Sequence, residues 1–285
     1  MPRRVLNDEV LRIIKELRDR GYGYKKIRKY LKEKYGLEAS NSALHYWIRI
    51  KLGDENVARS EIPWEPRRCP ELAYIIGVTL GDGSVGIIKR YSKGSRRYVF
   101  SLKVRDQEFA EAVKKAIERL GLHCSIRKRY MRRKEAVYYE VYCCVKRFVV
   151  FLKDIKDHPE KAWQWIREYE KEFLKGFYES EGNLSIEGYI RIYNKRREYI
   201  DMIVKCLQRL GIRCSISYDK SNKYWILYVP ACETRRFLAM VKPIIKYSRD
   251  DPHYQRVKKE REERRRRNKS PKATPSPHLY MQDLS

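Results

Sequence analysis

The chain has no apolar run approaching the ~18 residues that a membrane-spanning helix needs, so a membrane partner is not expected. No apolar stretch follows Met1-Pro2-Arg3-Arg4, and a signal peptide is not expected either. Cysteine is scarce: Cys69, Cys124, Cys143, Cys144, Cys206, Cys214 and Cys232 are odd in number and never fall at Cys-x-x-Cys spacing. That argues against a zinc site and for reduced, mostly buried thiols in a cytoplasmic protein. The histidines, His45, His123, His158, His253 and His278, form no cluster that would mark a nucleophile relay. Acidic residues are in deficit. Against 65 Lys and Arg stand 37 Asp and Glu, a formal net charge of +28 over 285 residues. Such an excess points to a polyanionic partner, nucleic acid before anionic membrane, without separating DNA from RNA.

Two short stretches organise what is present. Pro70-Glu71-Leu72-Ala73-Tyr74-Ile75-Ile76-Gly77-Val78-Thr79-Leu80-Gly81-Asp82-Gly83-Ser84 predicts a helix. Pro70 suits its first position and Glu71 its positive end. Being apolar almost all round, it should be buried. Gly77 and Gly81 share one face, which permits close approach of another backbone, and the helix runs into Asp82. Phe173-Leu174-Lys175-Gly176-Phe177-Tyr178-Glu179-Ser180-Glu181-Gly182-Asn183 repeats the design. Gly176, Ser180 and Glu181 take the places of Gly77, Gly81 and Asp82. If the helices pack on these small faces, Asp82 and Glu181 meet, and two carboxylates that close repel unless a divalent cation lies between them. Either stretch alone also reads as a buried helix leaving a core; two copies with matched acids weigh against that.

The duplication extends further. Val85 to Arg90 and Tyr98 to Val104 predict a hairpin, with Lys93-Gly94-Ser95 at its turn. Its second strand alternates: Phe100, Leu102 and Val104 on one face, Ser101, Lys103 and Arg105 on the other. This pattern fits either a flat DNA-binding sheet or an ordinary half-exposed one in a basic protein. Helices over Asp106–Leu120 and Arg196–Leu210 end at Gly121 and Gly211, 90 residues apart. Leu122-His123-Cys124-Ser125-Ile126 and Ile212-Arg213-Cys214-Ser215-Ile216 follow, pairing with Val137–Cys143 and Tyr224–Val229. Each half therefore reads helix, strand, strand, helix, strand, strand, helix. The first closes near Lys146–Ile155, and the second over Thr234 to about Tyr247.

Before the first half, three short helices are expected near Asp8–Gly21, Tyr24–Lys34 and Asn41–Ile50, the last capped by Ser40. They suit a helix-turn-helix whose third helix presents Asn41, Ser42, His45 and Tyr46 to the major groove, or a bundle used for protein contacts. Residues 51–68 lack periodicity and read as a linker. Residues 251–285 carry a charge run, Lys258 to Arg267, and then a Ser/Pro-rich end. They are expected as a solvated, basic, disordered tail, or as a charged helix that frays into one.

The paired motifs from Leu72 to Ser84 and from Phe173 to Ser185 resemble those of the LAGLIDADG homing endonucleases in their single-chain, two-repeat form. The resemblance spans about residues 69 to 247. It implies an α+β fold: two pseudo-symmetric αββαββα repeats, at 69–158 and 159–250, form a saddle of antiparallel sheets behind the small all-α unit at 1–50. It implies a monomeric, site-specific double-strand DNA endonuclease that uses Mg2+ and leaves short 3′ overhangs. Asp82 and Glu181 would hold the metal, helped by the carbonyls of Gly81 and Ser180, and Gly77 and Gly176 would pack the helix pair. Family members often place polar residues at the ends of the second strands, which makes Arg105, Asn194 and Lys195 auxiliary catalytic residues; Val104 departs from that habit. Ser101, Lys103, His123, Ser125 and Arg127 in one half, and Arg191, Arg213 and Ser215 in the other, are expected on the DNA face. The alternative reading is a non-cleaving binder on the same fold, an intron RNA maturase or a transcription regulator.

Overall fold

The computed structural model describes residues 8–52, 63–89, 96–131 and 136–269. The N-terminal unit packs three helices, α1 (Asp8–Asp19), α2 (Tyr24–Tyr35) and α3 (Asn41–Tyr46), and α3 widens into a π turn at Trp47–Lys51. Gly21 and Gly36 adopt φ of 80° and 61° just after the first two helices, a conformation that glycine enters without strain. Ser40 Oγ accepts from Ala43 N at 3.0 Å and starts the third. Ile14, Leu17, Ile27, Leu31, Leu44 and Ile48 form a separate small core.

The first repeat consists of α4 (Pro70–Leu80), β1 (Ser84–Lys89), β2 (Arg96–Val104), α5 (Gln107–Arg119), β3 (Ser125–Met131), β4 (Ala136–Cys143) and α6 (Lys146–Asp157). A short helix, α7 (Trp163–Ile166), leads to the second: α8 (Glu170–Glu181), β5 (Gly182–Leu184), β6 (Ile190–Asn194), α9 (Arg197–Arg209), β7 (Ser215–Asp219), β8 (Tyr224–Val229) and α10 (Ala231–Val241). Each repeat forms an antiparallel four-stranded sheet, in the orders β1-β2-β4-β3 and β5-β6-β8-β7. The strands that leave the two acids, β1 and β5, are therefore edge strands. Along β2, Phe100, Leu102 and Val104 are buried, which leaves Ser101 and Lys103 on the face away from the core. Val78, Leu80, Phe173 and Phe177 join one core that both repeats share. All seven thiols are free, but only Cys124, Cys143 and Cys206 are buried; Cys69, Cys144 and Cys214 are half-buried and Cys232 is exposed, so fewer of them serve the core than expected.

Three expectations need correction. The helix expected to run to about Tyr247 ends at Val241, and Lys242 turns left-handed at φ 47°. Pro243 explains the stop, because a proline disfavours helical geometry in the residue before it. The linker is shorter than 51–68, since Trp64 is buried edge-on against Phe148 at 5.2 Å and Phe151 at 5.7 Å. Its stretch 53–62, and the hairpin turn at Lys93-Gly94-Ser95, lie outside the described residues. The third concerns the tail. Part of it forms a helix, α11 (Pro252–Lys269), whose first turns are fixed to both repeats. Among the described residues no helix is long and apolar enough to cross a membrane.

Candidate active site

Asp82 stands one residue beyond Gly81, the C-cap of α4, and Glu181 is the last residue of α8, so each carboxylate leaves the foot of one helix. Small residues bring those feet together. A β-carbon at Gly77 would stand 2.9 Å from Phe177 N and closer still to Phe173 O. One at Gly176 would stand 2.9 Å from Val78 N and closer still to Tyr74 O. Lower down Gly81 faces Ser180, and a β-carbon there would reach Glu181 Cγ at 3.3 Å. Burial, followed by the negative charge of Asp82, pushes the Glu181 carboxyl up to about 7. The pKa of Asp82 is also raised, first by burial, although its side chain keeps an exposed face toward solvent. Protein walls one side of it and leaves the other open, as a site that admits a large substrate requires.

Two lysines lean on the pair. Lys246 Nζ donates to the carbonyls of Glu179 at 2.7 Å and Ser180 at 3.1 Å. Lys156 Nζ donates to the carbonyl of Gly83 at 2.5 Å. Burial lowers the pKa of both, and the charges of Asp82 and Glu181 partly restore it. Lys246 sits at φ 64°, beyond the Pro243 break, and its carbonyl accepts from Tyr178 Oη at 2.8 Å. Sequence reading passed over both lysines, yet they stand at the 90-residue offset of the repeats, after Ile155 and Ile245. That offset was the available signal.

The donor set fits a hard divalent cation. Two carboxylates and two backbone carbonyls offer oxygen alone, and such sites are completed by water and substrate phosphate. Burial raises both pKa values, the charge of Asp82 adds to the rise at Glu181, and the two lysines oppose it at both acids without cancelling it. Ser180 O already accepts from Lys246, which leaves it one lone pair for a cation. Among the described residues no cluster of three or more acids, histidines or cysteines offers another metal site. Glu179 turns away, accepting from Tyr74 Oη at 2.7 Å and Ile244 N at 2.5 Å.

The expected DNA-facing residues divide. Ser101 and Ser125 flank Tyr142 across three strands, and Arg191 and Ser215 flank Tyr228 in the same way. Lys103 and Arg127 flank Glu140, and the Arg127 guanidinium lies 4.1 Å from the centre of the Tyr142 ring. Arg213 is exposed but paired with Glu233 at 2.8 Å. His123 is placed elsewhere: it is buried against Tyr22, with Nε2 2.8 Å from Lys26 Nζ, and so helps dock α2 on the first repeat. The docked helical unit accounts for the difference, and Ser125 Oγ lies at the edge of the same contact, 3.3 Å from His123 Nε2 and 3.5 Å from Lys26 Nζ. Asn41, Ser42, His45 and Tyr46 are all exposed. At the strand ends Arg105 is ion-paired with Glu260, Asn194 Oδ1 accepts from Arg196 N at 2.9 Å, and Lys195 is exposed.

The raised Glu181 pKa sets a pH dependence of stability in metal-free protein. A carboxyl that holds its proton more tightly when folded stabilises the fold fully below about 4.5, and this contribution is lost as pH rises through about 7. Moving the pKa that far is worth at most about 3 kcal/mol, less where solvent screens the group. Glu181→Gln should therefore melt higher than wild type at pH 8 in EDTA, with a flatter pH profile between 5 and 8. Thermal melts across that range check it; an unchanged profile would show that Glu181 is not held beside Asp82.

Residues 70–156 and 168–242 match the LAGLIDADG-like domain family. An uncharacterized protein of Methanocaldococcus jannaschii is 28% identical over 215 residues, which cover 75% of this chain and 74% of that protein. The homing endonuclease I-DmoI of Desulfurococcus mucosus is 26% identical over 153 residues, 52% of this chain and 74% of its own. The crystal structure of I-DmoI in complex with DNA and manganese gives a TM-score of 0.50 at 20% identity, over 60% of this chain and 96% of the other. That likeness is one of fold.

Proposed function

The chain belongs to the LAGLIDADG family, and from that membership we propose that it is a divalent-metal-dependent endonuclease that cuts both strands of a specific DNA duplex. One observation carries the reading: both repeats keep an acid at the foot of the packed helix pair, close enough for one charge to raise the pKa of the other. A bound divalent cation would supply an activated water and neutralise the phosphate. Asp82 and Glu181 would hold it, with the carbonyls of Gly81 and Ser180. Magnesium suits these oxygen donors. The ammonium groups of Lys156 and Lys246 stand ready to balance the negative charge that builds on the phosphate and the leaving oxygen. Arg105, Asn194 and Lys195, at the ends of β2 and β6, would orient the backbone on either side. A repeat-based monomer carries one acid and one lysine for each strand, whereas Asn194 has only Val104 as its counterpart.

The outer faces of the two sheets supply the duplex contacts, with Ser101, Lys103, Ser125 and Arg127 on one and Arg191, Arg213 and Ser215 on the other. The test is incubation with a random-sequence duplex library and magnesium, followed by sequencing of the new ends. Recurrent paired breaks with short 3′ overhangs support the reading. Binding without any enriched break would leave a non-cleaving DNA binder instead.

The N-terminal unit is read as an added DNA contact. α2 docks beside β3, the outer edge of the first sheet, so α3 adds its residues beyond one flank alone. Removal of residues 1–62 keeps Trp64 in its packing place and leaves the acids untouched. The shortened protein should cut the same phosphates with weaker binding, since the second contact of a tethered module is made at high effective concentration. Its footprint should shrink on one side only, and Ala at Asn41, Ser42, His45 and Tyr46 together should reproduce this. Identical protection by all three proteins would show that the unit does not read DNA.

A further inference from the structure

Helix α11 belongs to neither repeat, yet it is fastened to both. Asp251, 2% exposed, caps its first turn by accepting from Tyr254 N at 3.0 Å and also holds Tyr247 N at 2.9 Å. The Tyr254 hydroxyl accepts the Leu184 amide of edge strand β5 and bonds Asn183 Oδ1 at 3.3 Å. Arg256 forks onto Asp106 at 2.6 and 3.0 Å, with His253 Nδ1 beside it at 3.2 Å. Asp106 stands at the start of α5, where an aspartate commonly caps the helix, but it makes no cap bond. Burial would raise its pKa, and the hydrogen bonds from His253 and Arg256 more than reverse this, holding it well below the usual carboxylate range. One turn further on, Glu260 Oε2 takes Arg105 Nη1 at 2.5 Å.

These anchor points lie around the acid pair. β5 begins at the residue after Glu181, and Arg105 and Asp106 follow β2, the partner of β1. The buried ammonium of Lys246 feels Asp106 as well as Asp82 and Glu181. α11 thus crosses from the inner edge of the second sheet to the end of β2, beside the site. Its contacts differ in strength. The fork onto Asp106 joins Arg256 to a carboxylate only 9% exposed. The Glu260–Arg105 pair is partly exposed, with side chains 37% and 31% exposed, and solvent screening weakens such pairs. Arg105 Nε and Glu260 Oε1 are themselves buried and make no hydrogen bond, although Oε1 also lies 3.6 Å from Arg256 Nε as a looser ion pair within the helix. Arg105 is therefore only half satisfied by Glu260, and a phosphate offers its guanidinium a bidentate acceptor.

We propose that α11 is a strap across the carboxylate site, hinged on its first two turns, and that duplex phosphate must displace Glu260 from Arg105 before cutting. This regulation rests on the nuclease reading above. Its test needs no cleavage. Full-length protein in EDTA is titrated with a short fluorescent duplex of random sequence. Glu260→Gln should bind roughly two- to fivefold more tightly than wild type, the range that one exposed ion pair permits. Glu262→Gln and Glu263→Gln remove the same charge from solvent-facing positions and should gain clearly less. Hydrogen exchange of residues 256–263 should quicken when wild type binds the duplex. No gain in Glu260→Gln, an equal gain in all three variants, or slowed exchange in α11 would each overturn the strap while wild-type binding leaves the nuclease reading in place. Failure of wild type to bind any duplex would overturn both.

Discussion

Asp82→Asn and Glu181→Gln are each expected to abolish DNA cutting while leaving binding intact. Either change keeps the shape of the side chain and removes the charge that a divalent cation requires. The remaining carboxylate, two carbonyls and two lysines form a site with net positive charge and no reason to take up a metal. Loss of a preorganised electrostatic group in an active site commonly costs ~10²–10³ in rate, and loss of a metal ligand should cost at least that. Binding, by contrast, comes from phosphate contacts on the sheets and at the N-terminal unit, and removal of one negative charge near the duplex cannot weaken those. Cleavage and anisotropy measured on the same DNA separate the two effects. Wild-type cutting by either variant would mean that the acids at the helix feet are not the metal ligands.

Much of this site was legible because it was written twice. The helix pair, the acids at its feet and the succession of helices and strands along both halves followed from matched residues at offsets of 99 and 90, a signal that local propensity can neither create nor hide. What stayed illegible has no such duplicate or depends on distant partners. Lys156 and Lys246 did obey the 90-residue offset, but each stands in a lysine-rich chain where one more basic residue attracts no notice. Only the backbone turn after Pro243 and the burial of the ammonium distinguish Lys246. His123 matched Arg213 in register, and so was read as its equivalent on the DNA face; contact with Tyr22 and Lys26, about 100 residues away, decided otherwise. The same holds for the anchoring of α11. Asp106 reads locally as a helix cap, and nothing nearby in sequence announces that Arg256 will claim it.

Gly77→Ala is expected to lower stability more than any exposed substitution, and Gly77→Leu more than Gly77→Ala. The reason is that the atoms which a new β-carbon meets, Phe173 O and Phe177 N, belong to the backbone of α8 and cannot rotate away. Room can come only from separation of the two helices, which loosens the contacts of Val78, Phe173 and Phe177 in the shared core. Overpacking of this kind costs ~1–3 kcal/mol where side chains can adjust, and a clash between backbones belongs at the upper end or beyond. For a chain of this size that corresponds to a fall in melting temperature of roughly 5–10 °C. Gly176→Ala should behave alike, because its β-carbon meets Tyr74 O and Val78 N, the matching atoms of α4. Gly86→Ala is the control: it also replaces a glycine, but its β-carbon would meet only Ile88 Cγ1 at 3.8 Å, so its melting temperature should hardly move. Separation of the helices also draws Asp82 from Glu181. The Gly77→Ala protein should therefore lose cutting at temperatures where it is still folded, and the raised pKa of Glu181 should fall back toward the ordinary carboxylate range. Thermal melts of the four variants, joined to cleavage measured below the lowest melting temperature, test both consequences. A Gly77→Ala protein with wild-type stability and activity would mean that the two helices do not meet at their glycines.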